Sequence, residues 1–147
     1  MNIFDQLQKG VNCATEADTL ELGRLIVREL PANQVLALKG DLGAGKTTLT
    51  KGIARGLGID PATVTSPTFN LYSIHRGKRQ LVHLDGYRLS SRDAAEALLI
   101  DEFLEDPWLV VVEWPERGLA DWMLPFTRTL QLTRNTETHG LHIRCEP

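Results

Sequence analysis

The chain is short of the features that mark several common protein classes. It has only two cysteines among 147 residues, Cys13 and Cys145. They lie far apart and in no metal-ligand spacing, so neither a disulfide framework nor a zinc module is encoded. Both read as reduced thiols of a cytoplasmic protein. No apolar run approaches the roughly 20 residues that a membrane-spanning helix needs. The opening residues MNIFDQLQKG hold one charge of each sign and no long apolar centre, unlike a signal peptide. Neither sign of charge dominates: 16 Lys and Arg stand against 19 Asp and Glu, a net charge of -3 with a pI near 5.8. Such a balance exerts no global pull on nucleic acid, so any contact of that kind needs a local patch or a partner protein. There is no internal repeat and no low-complexity tract.

What is present is enough apolar residue, 42%, to build a core, in a chain of single-domain length. One domain over residues 1–147 is expected. Its organising stretch is residues 35–57, VLALKGDLGAGKTTLTKGIARGL. An apolar run, Val35 to Leu38, predicts a buried strand. Leu49, Ile53, Ala54 and Leu57 recur at helical spacing. Between them Gly40 to Thr47 fill the pattern G-x-x-x-x-G-K-[ST] without substitution.

The residue types fit a nucleoside triphosphate. Backbone N–H groups of a tight loop, here Asp41, Leu42, Gly43, Ala44 and Gly45, surround concentrated negative charge, aided by the positive end of the following helix. Gly43 and Gly45 keep side chains out of the approach. Lys46 is expected on the β and γ phosphates and Thr47 on Mg²⁺, with Thr48 at a phosphate oxygen near the base of the loop.

Before this stretch, Thr15 with Asp18 predicts an N-cap, and Leu22, Leu25, Ile26 and Leu30 predict one helical face ended by residues 31–33. Residues 2–13 fit no single pattern; a short edge strand is one reading. After it, residues 60–68 predict a loop, and residues 69–75 and 80–85 predict a hairpin around Arg76-Gly77-Lys78-Arg79. That basic tip reads as a solvated turn or as a patch for RNA or a partner. Residues 91–105 predict a helix. Residues 108–114, WLVVVEW, suit a central parallel strand covered on both faces. Residues 128–134 alternate as a half-exposed strand, with residues 140–145 as its antiparallel partner. The order of elements predicts an α/β fold: a P-loop NTPase-like three-layer sandwich with a largely parallel central sheet and antiparallel strands added at an edge.

A phosphate-binding loop of this kind needs a second acid at the end of a neighbouring buried strand. Asp85 ends LVHLD and Glu113 ends WLVVVE. The second run is more apolar, which favours Glu113 for Mg²⁺. Asp85 then either orients or deprotonates the attacking water, or caps the segment after it. Ser66-Pro67-Thr68 either senses the γ-phosphate or is a plain loop. Trp114 packs in the core or beside a ligand. The histidines His75, His83, His139 and His142 share no ligand spacing with the cysteines and read as surface or core residues.

Four motifs, GDLGAGKTTL, SPTF, HLDGYRL and VEWPE, occur in an order and spacing that resemble the TsaE family, also called YjeE. The resemblance covers the chain from the first predicted helix to the terminal strands. It implies a bacterial ATPase, using ATP and Mg²⁺, for N6-threonylcarbamoyl modification of adenosine 37 in tRNA. It implies TsaB and TsaD as the partner complex, contact with tRNA only through that complex, and no membrane. By motif it implies phosphate and metal roles for Lys46 and Thr47, a switch at Ser66 to Thr68, and catalysis by Asp85. It also implies Mg²⁺ at Glu113, Trp114 beside the nucleotide, and Glu16 on the adenine side. The chain departs from the family pattern at Gly86, where Leu is usual, and at His139-Gly140, where Gly-Arg is usual. Two other readings share the loop: a small-molecule or nucleotide kinase, and a nucleotide-dependent binding module without hydrolysis. No Arg-rich insert that would form a kinase lid is visible.

Overall fold

The computed structural model describes residues 2–40, 45–65, 72–85, 100–113 and 127–146. Helix α1 spans Ile3–Lys9 and strand β1 spans Val11–Cys13. Helix α2 spans Glu16–Glu29, strand β2 Gln34–Lys39 and helix α3 Lys46–Gly56. Strands β3 (Tyr72–Arg76), β4 (Gln80–Asp85), β5 (Trp108–Glu113), β6 (Thr127–Arg134) and β7 (Leu141–Cys145) follow. Single 3-10 turns cover Pro61–Thr63 and Ile100–Phe103.

Local chemistry sets the helix starts. The Thr15 side chain accepts from the Asp18 N–H while the Asp18 carboxylate accepts from the Thr15 N–H, at 3.2 and 3.1 Å. This capping box satisfies two donors that a bare helix end leaves orphaned. Asn2 and Asp5 do the same for α1. The predicted edge strand exists as β1, and α1 before it is an element the periodicity did not reveal.

The seven strands form one sheet in the order β1-β7-β6-β2-β5-β4-β3. Strands β6, β2, β5 and β4 run parallel. The hairpin β3–β4 is antiparallel, as are β6–β7 and β7–β1. One expectation is corrected here. The tail does not simply add antiparallel edge strands, because β6 pairs parallel with β2 inside the sheet and only β7 runs antiparallel beyond it. The helix expected over residues 91–105 falls mostly outside the described residues, which begin again at Ile100; there a 3-10 turn spans Ile100–Phe103.

One face of the sheet carries the described helices. Leu36, Leu38, Leu81, Leu109, Val111 and Leu130 pack in one cluster with Leu22, Ile26, Leu49 and Ile53. The alternate residues Val35, Ala37, Val82, Leu84, Val110 and Val112 are buried too. The continuous apolar runs are therefore those of strands covered on both sides. Two of these helices, α2 and α3, touch through glycines. A Cβ on Gly52 would lie 2.2 Å from the Leu20 carbonyl oxygen, and one on Gly23 would lie 2.6 Å from that of Leu49. At the opposite end of α3, the Lys78 N–H donates to the Leu57 carbonyl at 2.7 Å and docks the basic hairpin tip. Arg76 of that tip pairs with Glu105 at 2.5 Å.

Candidate functional site

The site begins where β2 gives way to α3. Gly45 precedes the helix with φ 92°, a left-handed conformation that costs glycine least. A Cβ there would also stand 2.9 Å from the Leu141 side chain and 3.4 Å from the Arg134 guanidinium. Helix α3 has no side-chain cap and no acid in its first turn. Its leading N–H groups and positive dipole end are therefore available to an anion. Lys46 is buried, and its ammonium donates to the Gly40 carbonyl at 2.5 Å. The charge thus folds back across the mouth of the loop instead of reaching into solvent. Thr47 and Thr48 are half-buried on the same turn. Asp41, Leu42, Gly43 and Ala44 lie outside the described residues.

The parallel register carries the acids to the same end of the sheet. Glu113 pairs with Leu38 on one side and with Asp85 on the other. Both acids therefore end their strands at one level, and β5, not β4, borders the strand leading to Gly40. Glu113 is only 5% exposed. A carboxylate so far from water must find partners, and Glu113 Oε2 lies 2.5 Å from His83 Nε2. His83 is fully buried. It was read from sequence only as a surface or core residue. The signal that could have found it is the two-residue period of β4, which sets His83 and Asp85 on one face. The described residues include no side-chain geometry for Asp85. Ser66, Thr68 and Trp114 lie outside them.

A cavity of about 170 Å³ opens beside the start of α3. It is lined by Glu16 and Thr19 of α2, by Gly45 and Thr48, and by Arg134 and His139 of the β6–β7 turn. Glu16 and Thr48, singled out separately in the sequence, thus meet at one cavity. Arg134, at the end of β6, was not anticipated, whereas His139 stood in the sequence as a departure from the family pattern. Arg134 Nη1 donates to the His139 carbonyl at 2.9 Å, and His139 takes a left-handed φ of 59°. Cys13 also lines the wall. Burial pushes its thiol up, with a hydrogen bond from Thr19 pulling the other way, so it remains an uncharged thiol at neutral pH.

The donor set suits a hard divalent cation shared with a phosphate ligand. Mg²⁺ takes oxygen, commonly one or two protein groups with phosphates and water completing the shell. The Thr47 hydroxyl and the Glu113 carboxylate are of that type. Among the described residues no group of three or more His, Cys, Asp and Glu side chains could cage an ion alone. No described helix is long and apolar enough to cross a membrane.

Comparison with known proteins agrees in sequence and in shape. The family model "Threonylcarbamoyl adenosine biosynthesis protein TsaE" matches residues 13–143. The relative named tRNA threonylcarbamoyladenosine biosynthesis protein TsaE from Streptomyces coelicolor is 48% identical over 100 residues, 65% of this chain and 66% of its own length. The chain thus spans about two thirds of that relative. The protein of the same name from Treponema pallidum is 38% identical over 115 residues, 78% of this chain and 84% of its own. The crystal structure of Bacillus subtilis YdiB superposes with a TM-score of 0.71 at 28% identity, over 91% of this chain and 81% of that one. A family model that matches residues 13–143, together with relatives 38–48% identical over most of the chain, leaves one assignment: the chain belongs to the TsaE family.

Proposed function

We propose that the protein binds and hydrolyses Mg²⁺-ATP and that this activity supports a TsaB–TsaD complex in threonylcarbamoyladenosine modification of tRNA. The observation that carries the nucleotide part is the convergence at one sheet end of three features: the open N-terminus of α3, the Lys46 ammonium over Gly40, and the buried Glu113 in register with Leu38. Together they suit a phosphate-binding P-loop and its strand-end acid. The tRNA part rests on family membership and on the printed names of the relatives.

In this reading the N–H groups of residues 41–45 and of the first turn of α3 hold the phosphate chain. Lys46 exchanges its Gly40 carbonyl for β and γ oxygens. Thr47 and Glu113 would hold Mg²⁺, which supplies charge neutralisation at the phosphates when bound. Asp85, beside Glu113 in register, is the group for orienting water or accepting its proton. Ser66 and Thr68 respond to the γ-phosphate. Thr48 meets a phosphate oxygen, and Glu16 and the cavity it shares with Thr48, Arg134 and His139 receive the base and sugar, with Trp114 beside them. The partner complex reads out the nucleotide state, tRNA is met through that complex, and the setting is the cytoplasm.

The test is a fluorescence titration with an ATP analogue and a phosphate-release assay on wild type and Lys46→Ala. Loss of hydrolysis in the variant is expected, because the ammonium compensates charge that develops during transfer. A variant with wild-type turnover would remove the P-loop from the chemistry.

A further inference from the structure

We propose that His83 is a positioning residue for Glu113, holding one carboxylate oxygen so that the other faces the metal–phosphate ligand. The proposal rests on the reading of Glu113 as a Mg²⁺ ligand. Its own support is geometric. His83 pairs in register with Val111, while Glu113 pairs with Asp85. His83 therefore meets Glu113 diagonally, from the interior side of the sheet, across a spacing that long side chains bridge. The contact is 2.5 Å between His83 Nε2 and Glu113 Oε2, with the two side chains 0% and 6% exposed. An ionised carboxylate only accepts, so the ring proton stands on Nε2. Oε2 is thereby occupied, rotation of the carboxylate is stopped, and Oε1 is the oxygen left for a ligand.

The other ring nitrogen sharpens the point. His83 Nδ1 is buried without a hydrogen-bond partner among the described residues. A buried imidazole with one nitrogen unsatisfied is a poor core residue. Its one described bond goes to Glu113. Groups that orient a metal-binding carboxylate in this way commonly govern metal affinity without touching the ion.

The experiment compares full-length wild type with His83→Leu, His83→Gln and Glu113→Gln. Each is titrated with a fluorescent ATP analogue in Mg²⁺ and again in EDTA, and each is unfolded in urea. His83→Leu fills the core without a donor, and His83→Gln retains an N–H donor. The expected result is a tenfold to hundredfold loss of Mg²⁺-supported affinity in His83→Leu. Its affinity in EDTA should be unchanged, its stability should fall because the buried Glu113 carboxylate loses its described partner, and His83→Gln should recover much of both losses. Unchanged Mg²⁺-supported affinity in His83→Leu, while Glu113→Gln loses it, would overturn the positioning role alone. A loss equal in Mg²⁺ and EDTA would overturn it too, by making His83 a structural residue. If Glu113→Gln also keeps full Mg²⁺-supported affinity, the metal role of Glu113 fails first and the positioning role goes with it.

Discussion

Replacing Gly52 by alanine sets two effects of opposite sign against each other, and the structure decides between them. Gly52 sits inside α3, where alanine is favoured over glycine by about 1 kcal/mol through helix propensity. The added Cβ, however, would lie 2.2 Å from the Leu20 carbonyl oxygen and 2.8 Å from the carbonyl carbon. These are backbone atoms of α2 and cannot rotate away. Restoring a contact of 3.0–3.4 Å requires the helices to separate by about 1 Å. A gap of that size forfeits a quarter to a half of each dispersion contact across the interface, here among Leu22, Ile26, Leu49 and Ile53. Overpacking against an immobile neighbour costs about 3 kcal/mol at the upper end of its usual range. The net expectation is a loss of about 2 kcal/mol. With a urea m-value of about 2 kcal/mol/M, the unfolding midpoint should fall by about 1 M. Equilibrium unfolding followed by far-UV circular dichroism measures it. A midpoint equal to or above that of wild type would mean that the close α2–α3 contact does not set the position of α3, and hence of Lys46.

The two strand-end acids should fail differently. Glu113→Ala is expected to weaken Mg²⁺–nucleotide binding in titration, whereas Asp85→Ala keeps binding and slows single-turnover hydrolysis; equal loss of binding in both would dissolve the division of roles. His75, which contacts Ser73 at 3.2 Å, titrates below its ordinary 6.5, first because it is partly buried and then because His83 is near. The unfolded chain therefore binds a proton that the folded chain resists, and this contribution lowers stability as pH falls through about 6.5. His75→Gln should flatten the decline in urea midpoint between about pH 7 and pH 5.5, and an unaltered slope would assign that decline to other groups.

Much of the architecture was legible where one residue type could serve one purpose. Thr15 with Asp18 announced the start of α2, and the unbroken apolar run before Glu113 announced a parallel strand covered on both faces. The strand and helix on either side of the glycine pattern were legible from their apolar spacing. The direction of β6 was not, since an alternating strand looks the same whether its neighbour runs parallel or antiparallel. Helix α1 escaped because seven residues hold too few turns to establish a period. Within the site, Glu113 was legible as a strand-end acid, but its bond to His83 depends on the register of β4 against β5, which no local pattern encodes. The meeting of Arg134 and His139 with Glu16 at one cavity arises likewise from pairing between distant segments.

The central claim is that a nucleotide bound at the start of α3 is hydrolysed in the service of a partner complex. Steady-state phosphate release, measured for the protein alone and with TsaB and TsaD, alongside tRNA modification in the reconstituted system, tests it most directly. The predicted result is slow release alone and clear stimulation by the pair. In related P-loop systems an arginine supplied in trans adds about 10³–10⁵. Fast release that the pair leaves unchanged, with full tRNA modification when this protein is omitted, would contradict it.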